Sequence, residues 1–300
     1  MSTANTSSEF DYNEAFSRNI GWVTKEEHQQ LRNTRVAIGG MGGVGGSHAI
    51  VLARMGIGNF TISDLDDYEL ANFNRQYGAT MSTLNQPKAS VMHDTLRDIN
   101  PEADVKVLPN GVTEENLEDF LEGVDIYVDS LDIFALDIRR KVFQRCYEKG
   151  IPCVTAAPVG MGTAILTFMP GQMSFEEYFC LDGYEFTDQI IKFVIGVAPT
   201  VQQRHYLVNR SSVNFLKKKL PSTPMAIELA AGTLVSNVVK ILLKRGEVIT
   251  APHGLHFDAY RNNLTKTWRP WGNNNPLQRL MFWYVKRLLA KNEAQEQANV

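Results

Sequence analysis

The chain has 300 residues, of which 44% are hydrophobic and 21% are charged, and its formal net charge at pH 7 is −3. This length suits one large α/β domain, or a main domain with a smaller appendage. The small net charge gives no electrostatic reason to expect a DNA or membrane partner. Two short basic clusters, at 139–141 and 217–219, are typical of solvated faces.

The three cysteines are Cys146, Cys153 and Cys180, and their spacing suits neither a disulfide framework nor a CxxC pair. This usage is typical of a reducing compartment. Residues 1–10 lack the basic and apolar regions of a secretion signal. The best apolar candidate for a membrane span, 155–169, is interrupted by a proline and two glycines and is too short. We therefore expect a cytoplasmic protein.

Strand and helix patterns alternate between residues 35 and 170. We expect residues 1–13 to be disordered, and 24–31 to form a helix that Thr24 caps, with Glu27 three residues on. The alternation predicts a Rossmann-like, doubly wound α/β fold with a mainly parallel sheet and helices on both faces. In chain order we predict strand 35–38, helix 44–55, strand 59–64, helix 87–99, strand 104–108, helix 113–121, strand 124–128, helix 133–149, and strands 151–155 and 163–169.

The alternation stops after Pro170. Residues 171–224 contain scattered aromatics and three prolines, which predicts an irregular, loop-rich insertion or crossover lobe. Apolar residues at helical spacing return at 225–244 and 277–291. We therefore divide the chain into an N-terminal arm and helix (1–34), a Rossmann-like domain (35–170), the lobe (171–224) and a C-terminal helical part (225–300).

Six of the eight residues from 39 to 46 are glycine, directly after a predicted strand and at the start of a predicted helix. Glycines let the chain turn sharply and bring its backbone against a phosphate or ribose, and a helix N-terminus favours an anion. This turn also suits the dinucleotide fingerprint of an NAD enzyme, so by itself it indicates only a nucleotide. The pattern is G-x-G-G-x-G, formed by Gly40, Gly42, Gly43 and Gly45.

Charged residues follow the turn at distances that suit a nucleotide. Asp64 ends the second strand, where a carboxylate can accept hydrogen bonds from ribose hydroxyls. Arg75 lies eleven residues further on, and Lys88 follows after another thirteen at a helix start. Two cations and a helix dipole suit a triphosphate, although Arg75 could form a surface ion pair and Lys88 could be an ordinary first-turn lysine. The other candidate nucleotide contacts are Asp66, Asn72 and Gln76.

Asp132 lies just after the predicted strand 124–128, at the edge of the sheet where α/β proteins bind ligands. A carboxylate there can hold the Mg²⁺ that bridges phosphates. It could instead cap the helix predicted from residue 133. Asp129 is less suited to bind Mg²⁺ than Asp132.

In order and spacing, these residues resemble the ThiF/MoeB/HesA superfamily of adenylyltransferases, which includes ubiquitin-activating enzymes. The resemblance covers residues 18 to about 170 well and the 225–244 helix more loosely. It implies that the Rossmann-like domain binds ATP and Mg²⁺. The implied roles are ribose binding by Asp64, phosphate contacts by Asn72, Arg75 and Lys88, and metal binding by Asp132.

The resemblance also implies a reaction, in which a substrate carboxylate attacks the α-phosphorus of ATP and gives an acyl-adenylate and pyrophosphate. In most relatives this carboxylate is the C-terminal glycine of a ubiquitin-like or sulfur-carrier protein, and in others it belongs to a small molecule or a modified tRNA. Arg18 matches an arginine that reaches the neighbouring subunit's site, which implies a homodimer. An NAD-dependent oxidoreductase stays an alternative, but it would need a catalytic histidine or Tyr/Lys arrangement that we do not find.

The sequence departs from the family in its cysteines. Many relatives carry two CxxC pairs that bind a structural zinc, whereas Cys180 stands alone here, so we expect no zinc. His253, His256 and Asp258 could be imagined as a replacement but are more typical of a loop. Some relatives use a cysteine to accept the acyl group, and Cys180 is the candidate nucleophile. Its aromatic neighbours favour the alternative of a small apolar packing residue.

Overall fold

The computed structural model describes residues 10–209, 212–213 and 220–298, with the backbone alone for 290–298. The basic cluster 217–219 and residues 1–9 of the predicted disordered segment lie outside the described residues. The end of that segment is ordered, because helix α1 (Tyr12–Ala15) begins there with Asp11 as its N-cap. The Tyr12 ring is buried and its hydroxyl donates to the Gly56 carbonyl at 2.6 Å. The prediction of disorder is therefore wrong for residues 11–13.

One sheet of eight strands forms the centre of the protein. The strands are β1 (Arg35–Gly39), β2 (Asn59–Ser63), β3 (Asp104–Leu108), β4 (Ile126–Asp129), β5 (Cys153–Val159), β6 (Gly162–Phe168), β7 (His253–Asp258) and β8 (Asn263–Trp268). Their order across the sheet is β3-β2-β1-β4-β5-β6-β7-β8. The pairs from β3 to β5 are parallel, and the pairs from β5 to β8 are antiparallel. The predicted Rossmann-like α/β fold is confirmed.

Helices cover both faces of the sheet and enclose two apolar cores. The remaining helices are α2 (Lys25–Asn33), α3 (Gly43–Arg54), α4 (Lys88–Ile99), α5 (Leu117–Phe120), α6 (Leu136–Lys149), α7 (Phe175–Phe179), α8 (Phe186–Val197), α9 (Pro224–Leu242) and α10 (Pro276–Ala298). One core, around Ile38 and Leu234, joins α3, α4 and α9 to the sheet. The other core, around Tyr127 and Phe143, joins the four helices α5, α6, α7 and α8 to the opposite face of the sheet. Each buried side chain of this size stabilises the fold by about 1.5–3 kcal/mol.

The segment 171–224 contains more regular structure than predicted, because α7 and α8 both lie within it. The N-cap of α8 is Glu185, which forms no side-chain capping hydrogen bond, and the helix contains several β-branched residues, which have low helix propensity. Its Ile190 and Phe193 are buried in the core around Tyr127 and Phe143. Packing against distant strands and helices, rather than local preference, therefore stabilises this helix.

The C-terminal part is not entirely helical, since residues 253–268 form the antiparallel pair β7 and β8. Both His253 and His256 belong to β7, so the prediction that they lie in a loop is wrong. The first histidine is exposed and the second is buried. β8 consists largely of polar residues, with Lys266 exposed. The sequence therefore lacks the alternation of apolar and polar residues that predicts a half-buried strand.

α9 is long and apolar enough to cross a membrane by length and composition, with a mean hydropathy of 1.5 over 18 residues. The sequence-based choice of 155–169 as the best apolar candidate for a membrane span is therefore wrong. Half of that window is buried inside the protein, where Ala230, Leu234 and Val238 join the core between α3 and the sheet. This burial accounts for the apolar character of the helix.

Candidate functional site

The carboxyl ends of β1, β2 and β4 meet at one edge of the sheet. Gly39, the last residue of β1, is in register with Ser63 of β2 and with Asp129 of β4. The glycine-rich turn therefore lies between the segments that begin at Asp64 and at Ser130. Ligands of open α/β sheets bind at this edge, so the topology brings the predicted nucleotide residues to a suitable place.

Two glycines of the turn fit only because they have no Cβ. Gly40 has a φ of +92°, and an added Cβ would lie 2.4 Å from the Ser130 carbonyl oxygen. A Cβ on Gly45 would lie 1.8 Å from the Gly40 carbonyl oxygen. Gly42 differs, since its Cβ would meet only the Gln76 side chain at 3.7 Å. The turn is thus tightly packed against the 129–132 loop and more open at Gly42.

Asp64 is tied to the glycine turn by its carboxylate. Its Oδ2 accepts a hydrogen bond from the Met41 backbone N–H at 2.6 Å, and its Oδ1 accepts one from the Asp66 N–H at 2.8 Å. Burial raises the pKa of Asp64, while these two N–H groups and Lys88 act in the opposite direction. The turn and the predicted ribose acceptor therefore form one hydrogen-bonded unit.

Lys88, the first residue of α4, is buried, with 7% of its side chain exposed. Its Nζ donates to Asp66 Oδ2 at 3.0 Å, and the Asp66 side chain is 60% exposed. A cation at a helix N-terminus is disfavoured by the helix dipole, and a buried ammonium group needs a partner. Lys88 is therefore not an ordinary solvated lysine, since the fold keeps it at an electrostatically unfavourable position with one half-solvated partner.

Asn72, Arg75 and Gln76 lie on the loop between β2 and α4. Asn72 is buried and its Oδ1 accepts a hydrogen bond from the Glu69 N–H at 2.9 Å. The Arg75 guanidinium donates to the Ala71 carbonyl at 2.8 Å and to Asn74 Oδ1 at 2.9 Å. In the part of the chain that the structure describes, no carboxylate forms an ion pair with Arg75, so the alternative of a surface ion pair is not supported. Gln76 is buried with its Oε1 unbonded, and its amide nitrogen faces Gly42.

Asp132 is exposed and lies in the loop between β4 and α6. Its Oδ1 accepts a hydrogen bond from the Phe134 N–H at 2.9 Å. α6 begins three residues later than predicted, at Leu136 with Ala135 as its N-cap, so Asp132 does not cap that helix. Asp129 is buried and pairs with Arg139, which places its carboxylate inside the protein. Because Arg139 is buried too, the prediction that 139–141 forms a solvated face is wrong for this residue.

Arg18 is exposed and lies far from this edge of the sheet. Its neighbour Asn19 donates to the Arg54 carbonyl, at the end of α3 opposite the glycine turn, at 2.9 Å. A helix of 12 residues is about 18 Å long, so a similar distance separates Arg18 from the turn. The fold therefore does not bring Arg18 together with the other predicted site residues of the same chain.

Sequence analysis missed two polar residues beside the turn, His48 and Ser130. His48 Nδ1 and Ser130 Oγ form a hydrogen bond of 2.9 Å, and His48 is fully buried with its Nε2 unbonded. Burial lowers the pKa of His48 to about 3, so the ring is neutral at physiological pH. A histidine in the first turns of a helix has no distinctive spacing, and only the contact between α3 and the β4 loop singles it out.

Cys180 lies in a different neighbourhood, at the C-cap of α7. Its thiol donates to the Glu177 carbonyl at 3.2 Å, and burial raises its pKa. His256 Nδ1 and Thr200 Oγ1 form a hydrogen bond of 2.5 Å, and Asp258 accepts one from the Tyr206 hydroxyl at 2.9 Å. Among the described residues, no group of three or more His, Cys, Asp and Glu side chains is arranged to hold a metal ion. The absence of zinc stays a prediction.

The eight-stranded, partly parallel sheet with a glycine-rich turn at its carboxyl edge defines a protein of the Rossmann-like α/β class. The ThiF family profile matches residues 16–280, and the chain belongs to this family. The superfamily resemblance inferred from the motifs is therefore confirmed.

Two named relatives each match about half of the chain. A tRNA threonylcarbamoyladenosine dehydratase of Bacillus subtilis is 39% identical over 142 residues, which are 47% of this chain and 55% of that protein. The Escherichia coli sulfur carrier protein ThiS adenylyltransferase is 30% identical over 148 residues, 49% of this chain and 58% of that protein. The crystal structure of E. coli MccB with ATP has a TM-score of 0.63 at 21% identity, covers 88% of this chain and 72% of that chain, and shows a shared fold. The chain thus spans a little over half the length of these two curated relatives.

Proposed function

We propose that this protein is an ATP-dependent adenylyltransferase. A carboxylate oxygen of the substrate attacks the α-phosphorus of ATP and forms a new O–P bond. The bond from that phosphorus to the oxygen bridging the α- and β-phosphates breaks, and pyrophosphate leaves with its electron pair. The product is an acyl-adenylate. The protein forms no covalent bond in this step and contributes positioning and charge neutralisation.

The buried cation of Lys88 is the observation that supports ATP over NAD. Arg75 lies within the segment that follows Asp64, and Lys88 ends that segment. Lys88 pairs with Asp66, whereas the described acceptors of Arg75 are uncharged, so they do not neutralise its guanidinium. A helix N-terminus adds to the same potential. The triphosphate of ATP carries more negative charge than the pyrophosphate of NAD, and more develops on the leaving group. The arrangement therefore suits transfer of adenylate.

The remaining residues have complementary roles in this proposal. The backbone N–H groups of the glycine turn approach the phosphates from the open face at Gly42, and Asp64 accepts the ribose hydroxyls. Mg²⁺ arrives with ATP as part of the substrate, and it commonly uses one or two protein carboxylates besides phosphate oxygens. Asp132 fits this need, because its carboxylate is exposed and, in the part of the chain that the structure describes, Oδ1 alone accepts a hydrogen bond, from the Phe134 N–H. Asn72, Gln76 and Asp66 shape the loop around the phosphates.

We propose the C-terminal glycine of a ubiquitin-like or sulfur-carrier protein as the activated carboxylate. This assignment is supported by the relative named as an adenylyltransferase of the sulfur carrier ThiS. A modified-tRNA carboxylate is the second candidate, and the higher identity to the B. subtilis tRNA threonylcarbamoyladenosine dehydratase favours it. Both substrates would present a free carboxylate to the same phosphorus.

Exchange of radiolabelled pyrophosphate into ATP tests the proposal. Purified protein is incubated with a panel of carrier proteins or with modified tRNA, and exchange should depend on one of these acids. Arg75→Ala and Lys88→Ala should each lower the exchange rate by about 10²–10³, the loss typical of a single electrostatic donor. Arg145→Ala and Lys141→Ala serve as matched controls on the exposed side of α6 and should leave exchange unchanged. Wild-type rates in both site variants, or binding of NAD without ATP, would contradict the proposal.

We further propose that the protein acts as a homodimer in which Arg18 serves the partner's site. The distance between Arg18 and the glycine turn of its own chain supports this arrangement. An exposed arginine far from its own site can contribute to phosphate binding only across an interface.

A further inference from the structure

A buried ion pair lies directly behind the loop that carries Asp132. Asp129 is the last residue of β4, and Arg139 lies in the first turns of α6. Their side chains are 1% and 4% exposed, and Arg139 Nε lies 3.0 Å and 3.2 Å from the two carboxylate oxygens of Asp129. The Tyr127 hydroxyl donates to the same carboxylate at 3.1 Å. The charge of Arg139 is therefore neutralised by Asp129 inside the protein.

The other nitrogens of this guanidinium hold the backbone of the loop. Arg139 Nη1 donates to the Asp132 carbonyl at 3.1 Å, and Nη2 donates to the Leu131 carbonyl. The helix that follows has no side-chain cap at Ala135. One planar group thus joins the end of β4 to two successive carbonyls of the loop. A lysine in its place could not present donors in these fixed directions.

These contacts leave Asp132 little freedom. Its carbonyl is bonded to Arg139, and its Oδ1 accepts the Phe134 N–H. On the other side, the Ser130 N–H donates to the Gly39 carbonyl at 3.1 Å, and the Ser130 carbonyl packs against Gly40. The loop is therefore held between the glycine turn and the guanidinium. Among the described residues, Asp132 Oδ2 has no hydrogen-bond partner and can bind a ligand.

The face of the guanidinium is covered as well. Arg139 Cζ lies 4.6 Å from the centre of the Phe193 ring, which belongs to α8. Stacking on an aromatic ring keeps the guanidinium plane fixed while its edges donate hydrogen bonds. The orientation of Arg139 thus depends on β4, on its own helix and on a side chain of α8 that lies 54 residues further along the chain.

We propose that Arg139 is a positioning residue that orients Asp132 towards the Mg²⁺ of bound ATP. This proposal rests on the metal role given to Asp132 in the proposed function. Arg139 itself is buried and touches no nucleotide. Its loss should release the Asp132 loop while the glycine turn, Asp64 and Lys88 keep their own contacts. The affinity for the metal–nucleotide complex should therefore fall, and the affinity for the metal-free nucleotide should change little.

Titration with Mn²⁺ in the presence of a non-hydrolysable ATP analogue, followed by electron paramagnetic resonance, tests this role without any turnover. Arg139→Lys keeps the charge but not the planar fork and should weaken Mn²⁺ binding by about 10–100-fold, as is usual for residues that orient a metal ligand. Asp132→Asn should weaken it at least as much. The double variant should bind Mn²⁺ no more weakly than Asp132→Asn, because Arg139 acts through Asp132. Arg140→Lys, whose partner is Glu176, is the matched control and should bind as wild type.

The outcomes separate the two proposals. Unchanged Mn²⁺ binding in Asp132→Asn would overturn the metal role of Asp132, and with it the positioning role of Arg139. Weak binding in Asp132→Asn with wild-type binding in Arg139→Lys would overturn the positioning role alone. Losses that add in the double variant would do the same, since they would indicate a general structural defect. If Arg139→Lys fails to fold by circular dichroism, Phe193→Leu loosens the same guanidinium and should show the same non-additive loss.

Discussion

Gly42 and Gly45 lie three residues apart in one turn, but a methyl group added to each would meet different surroundings. On Gly45 the new carbon would lie 1.8 Å from the Gly40 carbonyl oxygen and 3.1 Å from Ser130 Cβ, so the backbone itself must move. On Gly42 the nearest atoms belong to the Gln76 side chain, at 3.7 and 3.9 Å, which are ordinary contacts. Gly45→Ala should therefore deform the turn, whereas Gly42→Ala should only occupy its open face.

The expected magnitudes follow from these distances. Overpacking usually costs about 1–3 kcal/mol, and a separation of about half the normal contact distance belongs at the upper end of that range. For a chain of this length, a loss of about 3 kcal/mol lowers the melting temperature by roughly 5 °C. Gly42→Ala should change the free energy of unfolding by less than about 1 kcal/mol. It should nevertheless weaken ATP binding by about tenfold or more, because its methyl group lies where the proposed phosphates approach the backbone.

Urea unfolding gives the stability of each variant, and isothermal titration calorimetry gives its affinity for ATP. Gly232→Ala is the matched control, because Gly232 lies on α9 with no atom within 4 Å of an added Cβ. This variant should gain up to about 1 kcal/mol of stability and bind ATP as wild type. Wild-type affinity in Gly42→Ala would refute the placement of the nucleotide on the glycine turn. Wild-type stability in Gly45→Ala would refute the packing of the turn.

Three further predictions concern His48, Arg18 and Cys180. Burial lowers the pKa of His48 to about 3, so below pH 6.5 the unfolded chain takes up a proton that the folded chain does not. The contribution of His48 to stability should be full above pH 6.5 and lower by about 2 kcal/mol at pH 5. In urea unfolding, wild type should therefore lose about 2 kcal/mol more than His48→Gln between these pH values. Equal losses in both would contradict the assignment. Chains with Arg18→Ala and chains with Lys88→Ala, each inactive alone, can be co-expressed. If Arg18 acts across a two-fold dimer, half of the dimers contain one intact site of two, so about a quarter of wild-type exchange should return. If Arg18 acts within its own chain, no exchange should return. Because burial raises the pKa of the Cys180 thiol, no thioester between Cys180 and the carrier should form during turnover. A thioester that forms in wild type and disappears in Cys180→Ser would show instead that Cys180 is a nucleophile.

Much of the candidate site is local in sequence, which is why it could be predicted. The turn from Gly40 to Gly45 connects a strand to the next helix, and Asp64 directly follows the second strand, so a single βαβ unit brings them together. The polar loop and Lys88 follow directly after this unit. In such a unit the chirality of the crossover and the need for glycine at close approaches leave few alternatives.

Other features depended on contacts that no local pattern contains. Arg139 lies in a run of three basic residues that is typical of a solvated face, yet α8 and β4 enclose it. The apolar residues of α8 form a helix without a local cap, and the polar strand β8 pairs only because β7 is beside it.

The sequence by itself therefore determined the Rossmann-like half of the sheet, the glycine turn and the identity of the charged residues around it, because short-range backbone geometry dictates these features. Tertiary structure alone decided which of those charges are buried and where they point. It placed Asp129 inside the protein and Asp132 at the surface, held Lys88 beside Asp66, and put Arg18 at the opposite end of α3. Burial and orientation depend on chain segments far apart in sequence, and these determine the electrostatics of the site.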